Sequence, residues 1–153
     1  EMPFEGVRLF VRSRIDAENI RNLARLKRMG FEAPQAAPFF HNGGSVPVEK
    51  VNSLLNEPFE GWERFLSFAD VSRTLSSVQE HTGLDSLIVD LERSIDDFLS
   101  GILAKFKYSA FAPENVLCFL WLKEIEAKNL RILLVGIGNG ADRSVLRRLL
   151  RNV

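Results

Sequence analysis

One cysteine, one tyrosine, two histidines and a formal net charge of zero leave the sequence short of the residues that build most reactive sites. The single Cys118 excludes an internal disulfide and any cysteine metal cluster, and it fits a reducing compartment. In the apolar run around it, Cys118 reads as a small buried hydrophobe. His41 and His81 lie far apart in turn-like contexts without ligand spacing, so both are expected to be structural or surface residues. No Ser/His/Asp set is visible. The longest unbroken apolar run, Val116 to Leu122, falls well short of the ~20 residues that a membrane-spanning helix needs, and Lys123, Glu124 and Glu126 follow it. No signal peptide opens the chain, and its start at Glu1-Met2-Pro3 reads as a piece of a longer or processed polypeptide. A neutral chain gives no support to general nucleic-acid binding.

What is present is phenylalanine, twelve copies against one tyrosine. Phenylalanine adds burial without a polar handle, so this excess points to a thick helical core or an apolar partner surface. At 153 residues the chain fits one domain. A domain of this size buries roughly 68–70% of its unfolded surface and needs no staples. Charge is unevenly spread. Residues 1–30 carry seven bases and four acids, residues 45–100 four bases and eleven acids, and residues 101–153 nine bases and four acids. Such a basic–acidic–basic layout either steers a charged partner or reflects solvated faces of different sign.

Hydrophobic spacing predicts an all-α fold of long antiparallel helices in a single helical unit over 1–153. The first helix is expected from about residue 5 to 29, ended by Gly30. One arc of it holds Leu9, Ile15, Ile20, Leu23, Ala24 and Leu26, and the opposite side holds a basic stripe of Arg14, Arg21, Arg25 and Arg28. An irregular stretch with Pro34 and Pro38 leads to the turn His41-Asn42-Gly43-Gly44. Ser45 reads as the N-cap of a short helix reaching about Leu55. Further helices are expected at about 60–68 and 70–81, then a long one from Leu87 to about Lys107. The acids of that long helix, Asp90, Glu92, Asp96 and Asp97, are expected to face solvent. Pro113 starts the last long helix, expected through about Val135, and a short helix from Asp142 to Leu150 follows. No period-2 strand pattern appears.

The first long helix recurs in the last one. Asp16-x-x-Asn19-Ile20-Arg21-x-Leu23 aligns with Glu126-x-x-Asn129-Leu130-Arg131-x-Leu133, and Gly30 with Gly140, always 110 residues apart. In each copy the acid and the Asn stand three residues apart on the apolar face, so they must find partners there. An unsatisfied buried polar group costs ~1–3 kcal/mol. Arg12 is a candidate partner for Asp16, and Lys123 or another helix for Glu126. The pairs Asp16–Asn19 and Glu126–Asn129 are therefore read as pins that fix the register of the repeated helix, and no catalytic residue is expected.

These same residues carry a likeness. The run from Pro113-Glu114-Asn115 through Lys123-Glu124-Ile125-Glu126-Ala127-Lys128-Asn129-Leu130-Arg131 to Gly136 resembles the C-terminal signature of the C-subunit family of V-type and A-type ATP synthases, whose equivalent in the vacuolar ATPase is the d subunit. Ile15 to Leu23, with Arg25, Lys27 and Gly30, resembles a recurring helix of that family, and the Gly43-Gly44-Ser45 turn also fits. At Ile137 the chain departs from the pattern, where the family typically has lysine. The resemblance implies an all-helical portion of a funnel of related subdomains, with an N-terminal part of the full protein missing here. It implies a non-catalytic adapter without cofactors, linking the D and F subunits of the central stalk to the membrane rotor ring on its cytoplasmic face. Under this reading the contact surface is Arg14, Arg21, Arg25, Arg28 and Arg131, nucleic acid and small-molecule substrates play no part, and a shortened chain is expected to self-associate.

Two rivals compete. Leu130 to Gly140, with Gly136, Gly138 and Gly140, taken alone reads as a strand and glycine-rich turn of a nucleotide- or S-adenosylmethionine-binding α/β enzyme. Only thirteen residues follow Gly140, too few for the acidic residue ~20 positions on that such a loop requires. The other rival is a helical interaction protein unrelated to ATPases.

Overall fold

The computed structural model describes residues 4–76, 78, 84–108 and 113–152. Its helices are α1 (Glu5–Arg28), α2 (Ala33–Ala36), α3 (Val48–Ser53), α4 (Phe59–Phe65), α5 (Arg73–Ser76), α6 (Leu84–Ala104), α7 (Pro113–Gly138) and α8 (Arg143–Leu149). Short 3-10 turns occupy Ala37–Phe39, Leu54–Asn56 and Asp70–Ser72. No strand occurs among the described residues, and the chain is all-α.

Three long helices form the frame. Trp121 stacks edge-on against Phe10, with ring centroids 5.4 Å apart, which ties α7 to α1. Its indole N–H donates to Ser100 Oγ at 2.9 Å, which ties α7 to α6. The direction of packing follows from the ion pairs. Arg21 reaches Asp96 while Arg25 reaches Glu92, so α6 runs antiparallel to α1. Trp121 meets Ser100 while Lys128 meets Asp96, so α6 runs antiparallel to α7 as well. The two related helices are therefore parallel, with α6 laid between them.

The core forms where apolar spacing dictates. Ile20 and Leu23 of α1, Leu91, Ile95, Leu99 and Leu103 of α6, and Ile125 of α7 are all buried. Each contributes about 1.5–3 kcal/mol relative to exposure. The segment from α3 to α5 closes over another side of α1 with Val51, Leu54, Trp62, Leu66, Val71 and Leu75, all buried. Trp62 can be fully buried because its indole N–H finds the carbonyl of Leu54 at 3.1 Å.

Several boundaries differ from the spacing argument. Phe10, rather than the exposed Leu9, heads the buried side of α1. Pro47, not Ser45, occupies the cap position of α3, because the Ser45 N–H is directed to a side chain of α1. The helix expected at 60–68 is shorter, Phe59–Phe65, and the one expected from 70 opens with a 3-10 turn at Asp70–Ser72 and is described as α-helix over Arg73–Ser76. His81 and the end of the latter prediction lie outside the described residues. The stretch after Gly30 holds the short helix α2, whose cap is Glu32. The cap of α8 is Asp142, again 110 residues on. Finally, α7 does not stop at Val135 but continues through Gly136 to Gly138. Gly136 and Gly138 are thus helical, Gly140 lies just beyond the helix, and no strand precedes them among the described residues, which removes the geometry of an α/β nucleotide loop.

Candidate functional site

The repeated helix ends the same way twice. After α1, the Phe31 N–H donates to Leu26 O at 3.0 Å and the Gly30 N–H to Lys27 O at 3.1 Å. After α7, the Ala141 N–H donates to Gly136 O at 2.8 Å and the Gly140 N–H to Ile137 O at 3.1 Å. These are the paired bonds of a Schellman cap, whose C′ residue must be left-handed. Gly30 and Gly140 accordingly have φ of +74° and +69°. The chain then turns back along the helix it has just left.

The asparagines hold that returning chain. Asn19 Nδ2 donates to the carbonyl of His41 at 2.9 Å, and Asn19 Oδ1 accepts the His41 N–H at 2.8 Å. Asn129 makes the same two bonds to Arg151, at 3.0 and 2.9 Å. An amide side chain carries both a donor and an acceptor, so it can satisfy both main-chain groups of one residue as a neighbouring strand would. The partners, 41 and 151, are themselves 110 apart. His41 thus serves through its backbone.

The two acids diverge. Asp16 is buried and accepts main-chain N–H groups from Ser45 at 2.9 Å and Val46 at 3.0 Å. Arg12, the partner expected from sequence, is exposed and does not take that place. The loop comes this close because of Gly44, where a Cβ would collide with the Asp16 carboxylate. Glu126 is exposed, and among the described residues it meets only Lys123, at 2.6 Å.

The basic stripe faces other parts of the same molecule. Arg21, with only 11% of its side chain exposed, bridges Glu18 and Asp96. Asp96 is buried, correcting the expectation that the acids of α6 face solvent. It also receives Lys128 Nζ at 3.2 Å and Arg151 Nε at 3.1 Å. One buried carboxylate thus joins α1, α7 and the chain after α8, so Arg21 is not available to an outside partner. Arg25 pairs with Glu92, and Arg148 with Asp90 at 2.9 Å. Arg14 lies 3.9 Å from Glu124, with its guanidinium 5.4 Å from the Trp121 ring centroid. Arg28 and Arg131 are exposed. A sequence signal for Asp96 does exist. It lies one turn from Leu99 and two from Leu103, on the buried side of α6, opposite a helix studded with arginine.

Among the described residues, no set of three or more His, Cys, Asp or Glu side chains could hold a metal ion. Burial raises the pKa of the Cys118 thiol, the opposite of an activated nucleophile. Bonds from the Ser144 N–H and then its hydroxyl lower the pKa of Asp142, an N-cap. A cleft of about 610 Å³ lined by Arg73, Asp90, Arg93, Asp97 and Arg148 has its charges largely paired internally, Arg148 with Asp90 and Arg93 with Asp97. Among the described residues, no helix is long and apolar enough to cross a membrane.

Comparison with known proteins places this arrangement. The chain matches the family model of the ATP synthase (C/AC39) subunit over residues 3–149. It is 32% identical over 139 residues to the C subunit of the V-type sodium ATPase of Enterococcus hirae, covering 91% of this chain and 42% of that protein. It is 29% identical over 142 residues to the C subunit of the A-type ATP synthase of Methanococcoides burtonii, covering 90% of this chain and 39% of that protein. The chain thus spans about two fifths of the length of the curated relatives it matches. No solved structure matches significantly. With a family model covering nearly every described residue, the chain belongs to the ATP synthase (C/AC39) subunit family.

Proposed function

We propose that the chain is a non-catalytic adapter of a V/A-type rotary ATPase, joining the D and F subunits of the central stalk to the membrane rotor ring on its cytoplasmic face. Torque must pass through such a part without being absorbed by it, which calls for helices that cannot slide. The observation that carries the reading is the family match over residues 3–149. The Asp96 junction supports it mechanically, because α1, α7 and the chain after α8 are cross-linked through one buried carboxylate. Sliding any of them by one helical turn would strand a buried charge, at several kcal/mol. The Asp16–Asn19 and Glu126–Asn129 pairs are proposed as register pins in the same scheme. Of the basic residues in the proposed contact surface, Arg14, Arg25, Arg28 and Arg131 are exposed, and Arg21 is held by the core.

The test is retention of the purified chain on immobilised D and F subunits, and separately on vesicles carrying the rotor ring. Binding to both is expected. Failure on both, with the chain folded by circular dichroism, would refute the adapter role.

A further inference from the structure

The excess of phenylalanine is not confined to the core. Phe10 and Phe40 are buried, but Phe65 and Phe68 are 43% and 55% exposed, at the end of α4 and just beyond it. Their placement is fixed from below. Leu66 and Ala69 lie in the core, and the turn is closed by the Leu66 N–H on Trp62 O at 3.0 Å and the Ala69 N–H on Leu66 O at 2.8 Å. Positions 65, 67 and 68 are therefore turned outward, and phenylalanine fills two of them. A phenyl ring gains nothing from water, so two on one turn mark a surface that meets something apolar.

The charged neighbours specify what fits there. With Ser67, the two rings line a hollow of about 430 Å³ whose other walls are Lys50 of α3 and Arg64 of α4. The Lys50 ammonium stands 4.1 Å from the centroid of the Phe68 ring. That cation–π contact accounts for Lys50 and Phe68, but not for Arg64 or Phe65. No carboxylate lines the hollow, because Glu49 and Glu63, next in sequence to the two cations, point about 100° away around their helices. Among the described residues neither Lys50 nor Arg64 forms an ion pair, whereas Arg21, Arg25, Arg148 and Arg151 all do. Two unpaired cations beside two outward rings make the composition of an interfacial membrane anchor, in which phosphates take the cations and the rings reach the headgroup–acyl boundary. The lining spans one turn and one neighbouring helix, too short a track for a peptide segment and enough for one phosphate with its apolar stem.

We propose that this corner of the chain docks on an anionic lipid bilayer, with Lys50 and Arg64 holding a phospholipid phosphate and Phe65 and Phe68 entering the interface. The site does not depend on the adapter role, since any membrane surface carrying anionic lipid supplies the ligand.

The test is co-sedimentation of the chain with vesicles of phosphatidylcholine alone and of phosphatidylcholine mixed with phosphatidylglycerol. Binding is expected to the mixed vesicles only. Each base at an anionic surface contributes about fivefold, so Lys50→Gln combined with Arg64→Gln should weaken binding about thirtyfold. Replacing Arg143 and Arg147, exposed on α8, by glutamine should change it by no more than about twofold, because screening confines the attraction to bases at the contact. Circular dichroism checks that each variant is folded. Entry of the rings is read with Phe68→Trp, whose fluorescence should be quenched by lipids brominated in their acyl chains, against the constant background of the buried Trp62 and Trp121. Equal binding to both kinds of vesicle, binding to neither, or an equal loss from the α8 substitutions would overturn the proposal. So would displacement by glycerol phosphate, which would make the ligand a soluble phosphate, or bound chains whose tryptophan at 68 is not quenched.

Discussion

Removing the same acid from the two copies of the repeat should give very unequal results. In Asp16→Ala, the N–H groups of Ser45 and Val46 lose their carboxylate acceptor, that of Val46 within the core and that of Ser45 at its edge. Hydrogen bonds to a charged group contribute ~1.5–3 kcal/mol each, so the pair amounts to about 3–6 kcal/mol. Against a total stability of ~5–15 kcal/mol that is a large fraction. For a chain of this length it corresponds to a fall in Tm of about 6–24 °C. Asp16→Asn is no rescue, because the amide keeps one acceptor and turns an N–H toward a main-chain N–H. In Glu126→Ala, one exposed ion pair with Lys123 is lost, ~0–1 kcal/mol, partly offset by the better helix propensity of alanine. Its Tm should move by no more than about 2 °C. Thermal and urea unfolding followed by far-ultraviolet circular dichroism measures all three variants. If Glu126→Ala costs as much as Asp16→Ala, or if Asp16→Ala costs under ~1 kcal/mol, the account of the two acids is wrong.

Three further outcomes follow from the same geometry. Asp96→Ala removes the shared partner of Arg21, Lys128 and Arg151 and should cost ~3–5 kcal/mol by urea unfolding, more than the loss of any surface pair such as Arg25–Glu92. Gly136→Ala should destabilise by ~1–3 kcal/mol despite its helix propensity, because a Cβ there strikes the buried Leu146; Gly138→Ala, with open space around it, should be neutral or stabilise by ~0.5–1 kcal/mol, and thermal melts compare them. Asp142, whose pKa is lowered in the fold, stabilises the start of α8 at neutral pH, and that contribution should be lost as pH falls below the ordinary aspartate range through its lowered value. Asp142→Asn should cap without titrating, so its stability relative to wild type should rise as pH falls from about 7 to about 3 in a denaturation series.

The fold is largely legible because its signals are local. Apolar spacing at 3.6 residues, Gly30 and Gly140 as helix stops, and Pro113 and Asp142 as helix starts all act within one or two turns. The all-α class and the long helices follow from them. The repeat is legible too, since a constant offset requires no geometry. What spacing cannot supply is the partner of each polar residue. Asp16 sits four residues from Arg12 on the same helix, yet it is satisfied by a loop 29 and 30 residues away. That choice depends on Gly43-Gly44 bringing the chain close, and a helical wheel holds no information about it. Asp96 escapes the sequence reading for the same reason. Acids on a long helix usually face water, and only the packing of α6 between two basic elements makes one of them a buried junction.

That packing also gives meaning to the uneven charge. The acidic middle of the sequence and its two basic flanks look like surfaces for outside partners when read along the chain. In three dimensions α6 lies against both flanks, and four of its acids are taken up from within: Asp90 by Arg148, Glu92 by Arg25, Asp97 by Arg93 of its own helix, and Asp96 by three cations at once. Part of the charge that sums to zero has thus already met its complement inside the fold. Arg131, standing where Arg21 stands in the other copy, is exposed and has no ion-pair partner among the described residues.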